Sequence, residues 1–191
     1  MKTMYRTTLI AFALLTVSFA MAQKTQSFTI TRVINTSADK VWAVVGEQYG
    51  DIAKSHPILS GSHYVEGTPM SGEGCVRVCN MNDNGSKYTK EKMVNYNPKE
   101  MSFKAQIDEV GGLPLETGIS YMIYNVDPID ESSCKITLTM VYRTSPAFMG
   151  KMVKGKFKKN INNYAIAIQH HTLTGEDVNP DNFKQIKKQY L

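Results

Sequence analysis

The chain has 191 residues, of which 42% are hydrophobic and 20% are charged, with a formal net charge of +5. This length and composition predict one globular domain with a substantial core and exclude a disordered or fibrous chain. Two of the positive charges, Lys2 and Arg6, lie in a segment that we expect to be removed, and subtracting them from +5 leaves +3. That balance is too mild for a nucleic-acid-binding protein.

Residues 1–22 have the pattern of a secretory signal peptide. Lys2 and Arg6 precede an uncharged apolar run, and Ala20-Met21-Ala22 supplies small residues at a cleavage site before Gln23. The run is shorter than the roughly 20 residues that a membrane span needs. We therefore expect a mature chain of residues 23–191, periplasmic or secreted, with no further membrane segment.

The mature chain begins with one strand and two short helices. Apolar residues alternate with threonines over 27–35, which predicts a strand. Cap-forming residues at 36–39 then precede a short helix, and 51–55 add a second short helix that ends at His56-Pro57.

Six further strands are predicted next. Gly-, Pro-, Asn- and Asp-rich turns separate them, and Asp83-Asn84-Gly85 is a strong hairpin signal. The predicted strands are 59–66, 74–80, 86–96, 101–108, 118–126 and 134–143.

One long helix follows the strands. Apolar residues recur at spacings of three and four from Met149 to Ile168, and Gly175 supplies a C-cap. A short terminal helix is predicted within 182–190. The order predicts an α+β fold in which a seven-stranded antiparallel sheet curls around the C-terminal helix and leaves a cavity between them.

Several short motifs resemble the START-like, or SRPBCC, helix-grip superfamily. This group includes Bet v 1-type proteins, polyketide cyclase/dehydrase-like proteins and plant abscisic-acid receptors. The matching segments are Ser37–Trp42, His56-Pro57 with Ser60, Gly72–Arg77, Glu91 and His171–Glu176, so that the resemblance covers about 27–176 of a single domain. It implies a carrier, a receptor or a cyclase that uses the cavity.

Residues 72–80, GEGCVRVCN, read best as a strand. A phosphate-binding loop would need a helix after the glycines, and none is predicted there. Cys75 and Cys79 lie four residues apart on one strand face, too far to bond to each other, whereas a bond from Cys134 to either one stays open. Arg77 shares their face. If that face is concave, Arg77 needs a carboxylate from the protein or a ligand, and if it is convex, Arg77 is solvated.

Ligand-binding residues are predicted along the cavity. The periodicity places Met93, Tyr121, Met140 and Tyr164 in its lining. The resemblance implies that Glu91 faces the cavity as a polar anchor, with a surface charge paired to lysine as the alternative. His56 lies near the predicted mouth, where it either contacts the ligand or caps a helix.

No catalytic residue, metal site or cofactor is predicted, because no nucleophile–base pair and no ligand cluster has workable spacing. We therefore expect an exported protein that binds a small hydrophobic or lipid-like molecule. The alternatives are a polyketide cyclase/lyase-type enzyme and a protein-interaction domain with a closed cavity. Five lysines between Lys151 and Lys159 predict a solvated face, or a patch for a membrane surface or an acidic partner.

Overall fold

A computed structural model describes residues 25–191. The predicted leader 1–22 lies outside these residues and stays a prediction. The strands are β1 (Gln26–Ile34), β2 (Gly61–Tyr64), β3 (Val76–Asn80), β4 (Tyr88–Asn97), β5 (Ser102–Gly111), β6 (Tyr121–Asp130) and β7 (Ser133–Tyr142). The helices are α1 (Ala38–Trp42), α2 (Met149–Thr174) and α3 (Phe183–Lys188).

The strands form one antiparallel sheet in the order β1-β7-β6-β5-β4-β3-β2. Each strand pairs with its neighbour in sequence, except that β1 returns to pair with β7. Alternating side chains bury one face, as in β7, where every second residue from Cys134 to Tyr142 is buried. The predicted helix-grip architecture is confirmed.

Helix α2 packs its apolar stripe against this buried face. Tyr164, Ala165 and Ile168 share one core cluster with residues of β4 to β7, and Phe157 packs with Met140 and Tyr142 nearer the start of the helix. Gly175 ends the helix in the left-handed conformation with φ of 74°, as its C-cap role predicts.

The segment between β1 and β2 is less regular than predicted. After α1 it continues as one π-helical turn (Ala43–Glu47) and a 3-10 segment (Tyr49–Lys54). Gly50 is needed there, because a Cβ at this position would lie 2.5 Å from the Tyr64 ring. This close approach presses the 3-10 segment onto the edge of the sheet and brings the Tyr49 carbonyl within reach of β3.

Strand β6 extends further than the sequence pattern indicates. It runs through Pro128, which was expected to lie in a turn, and the reversal occurs where Asp130 accepts hydrogen bonds from the Ser132 amide and hydroxyl at 2.8 and 3.0 Å. Beyond Asn125 the strand pairs with β7 alone, so a proline there disrupts no ladder on its other side.

Within residues 25–191, no helix is both long and apolar enough to cross a membrane.

Candidate functional site

A cavity of about 50 Å³ lies between the sheet, the 3-10 segment and helix α2. Its walls combine aliphatic and methionine side chains with an ion pair, two phenols, a thiol and a histidine. The lining residues are Ile52, His56, Leu59, Arg77, Cys79, Met81, Thr89, Glu91, Met122, Tyr124 and Tyr164. A volume of this size holds a few water molecules and is well below the roughly 300 Å³ at which ligand pockets usually begin.

The β3–β4 hairpin builds the charged wall of the cavity. Its turn is centred on Asn84, so Arg77 and Glu91, seven residues away on either side, are directly opposite in the register. A register shift between Lys90 and Glu91, where β4 meets β5, occurs at the same point. Such irregularities often re-aim a side chain next to a functional site.

Arg77 is a buried cation with a protein partner. Its side chain is 2% exposed, and Nε and Nη2 donate to Glu91 Oε2 at 3.0 and 2.7 Å. Nη1 donates to the Tyr49 carbonyl at 2.9 Å, and the guanidinium lies 3.8 Å from the centre of the Tyr49 ring. The concave alternative for Arg77 is therefore the one that the fold adopts, and its carboxylate comes from Glu91.

Glu91 lies in the cavity wall and is not paired with a lysine. While Oε2 accepts from Arg77, Oε1 accepts a 2.8 Å hydrogen bond from the Thr89 hydroxyl. Its side chain is 15% exposed. Both oxygens are therefore engaged within the protein, and a ligand at Glu91 would join an existing network.

Three phenols surround the guanidinium. Nη2 of Arg77 lies 3.4 Å from Tyr124 Oη, and the Tyr49 hydroxyl is buried with no hydrogen-bond partner among the described residues. Burial raises the pKa of Tyr49, Tyr124 and Tyr164, so these hydroxyls are neutral donors. Tyr124 and Tyr164, which line the cavity, can orient a polar group without adding a further charge to the ion pair.

His56 packs on Tyr164, with ring centres 4.5 Å apart. Burial, together with the positive charge of Arg77, lowers the pKa of His56 to about 3, so the ring is neutral. Its Nδ1 accepts a 3.3 Å hydrogen bond from the Ile58 amide, which assigns the proton to Nε2. His56 therefore both caps the backbone and lines the cavity, and it offers an uncharged N–H donor.

The cysteines are three separate, buried thiols. Cys134 is on β7, four strands away from β3 in the sheet order, which explains why it bonds to neither Cys75 nor Cys79. Burial and the neighbouring Glu91 carboxylate raise the pKa of Cys79 to about 12. The cavity thiol is therefore not a nucleophile at neutral pH.

Four of the seven predicted site residues come together at the cavity: His56, Arg77, Glu91 and Tyr164. Met93 and Met140 are buried in the core and are not among the residues that line this cavity. Met93 sits in the cluster around Trp42 and Phe103, and Met140 packs under the first half of α2.

Tyr121 is likewise not among the residues that line this cavity. On β6 the inward positions are Met122, Tyr124 and Val126, so Tyr121 lies on the outer face, where its ring is 4.9 Å from Lys104 Nζ. Successive residues of a strand point to opposite faces of the sheet, so an error of one residue in choosing the inward set assigns every side chain to the wrong face. The register with β7, where Tyr124 faces Leu138, fixes that parity, and a single strand in sequence does not.

Sequence reasoning also missed Cys79, Thr89 and Tyr124 as cavity residues. The first two could have been found from the hairpin, because Cys79 and Thr89 are five residues on either side of Asn84 and face each other in the register. Tyr124 had no comparable local signal.

Aromatic packing explains why the cavity is small. Phe103 stacks on Tyr124 with ring centres 4.4 Å apart, and Trp42 and Tyr49 meet Phe103 edge-on at 5.9 and 5.7 Å. These rings fill the space between α1, the sheet and α2. At this end of the sheet, among residues 25–191, the rings leave the small polar pocket around Arg77.

The two adjacent histidines near the end of α2 differ in burial. His170 is buried, with Nδ1 3.0 Å from Tyr190 Oη and Nε2 3.0 Å from Glu176 Oε2, whereas His171 is half-buried. The terminal helix α3 covers this side of α2, which the sequence pattern of α2 alone does not reveal. Within residues 25–191, no group of three or more His, Cys, Asp or Glu is placed to hold a metal ion.

Comparison with protein families identifies the class. The family described as "Polyketide cyclase / dehydrase and lipid transport" matches residues 25–168, and the chain belongs to this family. The resemblance inferred from the motifs is thereby confirmed, and the family points to hydrophobic molecules as the ligand class. Comparison with curated proteins gives no match.

Solved structures show the same fold. Truncated norcoclaurine synthase from Thalictrum flavum is 20% identical with a TM-score of 0.60, over 79% of this chain and 95% of that one. Ara h 8.0201 is 18% identical with a TM-score of 0.62, over 79% and 99%. A Thermobifida fusca protein solved by NMR is 16% identical with a TM-score of 0.63, over 76% and 92%. At these identities the likeness concerns the fold alone.

Proposed function

We propose that this protein binds a small molecule, apolar over most of its surface and carrying one hydrogen-bonding end, in the cavity between the sheet and α2. The observation that supports the proposal best is the polar wall of that cavity. A buried ion pair with neutral phenol and imidazole donors beside it faces methionine and aliphatic side chains. Such a division suits a ligand with a polar head and an apolar body.

The ligand-bound state must differ from the state described here. A cavity of about 50 Å³ is smaller than the roughly 150 Å³ that accommodates benzene in an engineered protein core. Met81 and Met122 line the cavity and are only half-buried, so they are the side chains best able to move aside. We expect the ligand to enter by displacing these two thioethers while the ion pair stays in place.

The chemistry of the wall sets the preferred head group. Arg77 is already neutralised by Glu91, so an anionic head would compete for a satisfied cation, whereas a neutral hydroxyl or carbonyl needs only the phenols and His56 Nε2. A structure of the Thalictrum flavum enzyme holds dopamine and hydroxybenzaldehyde, which makes phenols and aromatic aldehydes sensible first probes. We further propose that the protein acts after export, in the periplasm or outside the cell, because residues 1–22 have the pattern of a signal peptide.

The test combines identification of the natural ligand with a matched pair of variants. Native mass spectrometry of gently purified protein should reveal a bound small molecule. A neutral fluorescent probe, N-phenyl-1-naphthylamine, should bind at micromolar concentration and be displaced by phenolic ligands. Met122→Trp fills the cavity and should weaken probe binding at least tenfold. The control is Tyr121→Trp, at the adjacent residue of β6, which lies on the outer face of the sheet and should leave probe binding unchanged.

Three results would change the proposal. If no molecule copurifies and no probe binds, the cavity is closed and the domain acts through its surface. Equal effects of Met122→Trp and Tyr121→Trp would place the probe outside the cavity. If a polyketide-like substrate turns over, and Glu91→Gln abolishes turnover without loss of binding, the protein is an enzyme of the cyclase type.

A further inference from the structure

The first half of helix α2 carries an unusual charge distribution. Residues 144–175 contain five lysines and not one aspartate or glutamate. All five lysines fall within Lys151–Lys159. None of them lies within ion-pair distance of a carboxylate among the described residues. A helix that is merely solvated usually mixes both signs of charge along its surface, and this one does not.

Two large apolar side chains stand in the middle of these lysines. Phe148 is 70% exposed and Met152 is 76% exposed, more than any other large hydrophobic residue of the described chain except Leu191 at its end. At about 100° per residue, positions 148, 152 and 159 lie within roughly 40° of one another around the helix. They form the ridge opposite the stripe of Val153 and Phe157 that packs on the sheet.

The lysines flank this ridge. Lys151 and Lys158 lie on one side of it, Lys156 lies on the other, and Lys159 continues it, all four exposed. We define the basic-apolar surface as Phe148, Lys151, Met152, Lys156, Lys158 and Lys159.

We propose that the basic-apolar surface docks onto an anionic lipid bilayer. A helix lying in a membrane interface presents large apolar side chains to the acyl boundary and lysines to the phosphates around them, and this is the arrangement on the exposed side of α2. Juxtaposed lysines each contribute about 1 kcal/mol of attraction to an anionic leaflet, so four lysines with two apolar anchors suffice for reversible binding. An acidic protein would satisfy the lysines but gives no reason for the apolar ridge between them.

This surface is separate from the proposed ligand site. The cavity involves Tyr164 of α2, on the packed side of the helix, whereas the basic-apolar surface faces solvent from the other side. The docking proposal therefore stands or fails independently of ligand binding.

Flotation with lipid vesicles tests the proposal. The full chain should bind vesicles of equal parts phosphatidylglycerol and phosphatidylcholine and should bind pure phosphatidylcholine weakly. Raising the salt from 0.1 to 1 M, which shortens the screening length from about 10 to 3 Å, should release most of it. The triple variant Lys151→Gln, Lys158→Gln, Lys159→Gln should lower the partition coefficient on the order of 100-fold.

Matched controls distinguish vesicle binding by the basic-apolar surface from binding caused by the overall charge. Residues 1–24 are the same in every variant, so they do not account for differences between variants. Lys40→Gln, Lys99→Gln, Lys184→Gln removes three exposed lysines elsewhere and should leave binding within about threefold of the wild type. Phe148→Ser with Met152→Ser should weaken binding at least tenfold, whereas Met70→Ser with Ile129→Ser, which are also exposed, should not. Circular dichroism should show every variant folded, since all these positions face solvent.

Several outcomes would overturn the proposal. If both triple lysine variants lose vesicle binding equally, the net charge of the protein explains the binding and the basic-apolar surface does not. If Phe148→Ser with Met152→Ser binds anionic vesicles as tightly as the wild type, the apolar side chains do not enter the bilayer and the proposed docking is wrong. Binding of soluble polyglutamate at the same surface, without binding to anionic vesicles, would assign the surface to an acidic protein partner.

Discussion

Replacing Glu91 by glutamine should cost the protein a large part of its stability. The substitution keeps the shape of the side chain but leaves the Arg77 cation, 2% exposed, without a countercharge. Removing one partner of a buried ion pair typically costs about 3–5 kcal/mol, because the other charge stays buried.

The structure places Glu91→Gln near the lower end of that range. The two hydrogen bonds from the guanidinium, at 3.0 and 2.7 Å, lose the attraction of the carboxylate charge, but the cation can still donate to the glutamine carbonyl oxygen. Arg77 keeps the Tyr49 carbonyl at 2.9 Å and the Tyr49 ring at 3.8 Å, and Glu91 is itself 15% exposed. We therefore expect a loss of about 3 kcal/mol, which lowers the melting temperature by roughly 6–12 °C for a chain of this size.

Urea unfolding followed by circular dichroism measures this loss as a shift of the midpoint at constant slope. The control is Glu109→Gln, an exposed carboxylate 3.9 Å from Lys90 on the neighbouring strand, for which the change should stay within about 0.5 kcal/mol.

A double-mutant cycle shows whether the buried cation is the cause. Arg77→Met removes the charge, so adding Glu91→Gln to it should cost about 2 kcal/mol less than the same change in the wild type. Additive effects, or a Glu91→Gln variant as stable as the Glu109→Gln control, would refute the assignment of Glu91 as the partner that compensates Arg77.

His56, Cys79 and Tyr190 each give a further testable prediction. The pKa of His56 in the folded protein, about 3, lies below its usual 6.5, so the unfolded chain binds a proton first as the pH falls, and the free energy of unfolding should drop between pH 6.5 and 3 by on the order of 1 kcal/mol per pH unit. In urea unfolding at several pH values, the free energy of unfolding of His56→Asn should depend less steeply on pH than that of the wild type. Equal pH dependence would contradict the argument that burial lowers this pKa. Burial and Glu91 raise the pKa of Cys79 to about 12, and all three thiols are buried, so a thiol reagent should label the native protein slowly. The protein unfolded without a reductant should be labelled at three sites, and labelling at fewer sites would mean that a disulfide is present. Tyr190→Phe removes the 3.0 Å hydrogen bond with His170, which should lower the free energy of unfolding by about 1 kcal/mol and speed amide hydrogen exchange in α3. Unchanged exchange would show that apolar packing alone holds α3 against α2.

Local patterns in the sequence determined most of the fold. Alternating residues specify strands because their side chains point to opposite faces, and the stripe on α2 specifies a helix that needs a sheet to cover it. The Asp83-Asn84-Gly85 turn also contains the information for the Arg77–Glu91 pair, because a hairpin centred there brings the two residues opposite each other, although the carboxylate partner of Arg77 was left open. That pair is local in the sheet, and therefore predictable.

The tertiary structure decided whatever depends on partners distant in sequence. Which face of β6 turns inward depends on its register with β7, so Tyr124 and not Tyr121 meets the cavity. The burial of His170 depends on α3 folding back across α2, a contact with no periodic signal in either helix. The size of the cavity depends on how the rings of Trp42, Tyr49 and Phe103 pack together from separate elements, and volume left between close-packed side chains is a property of the assembled core that no single segment contains.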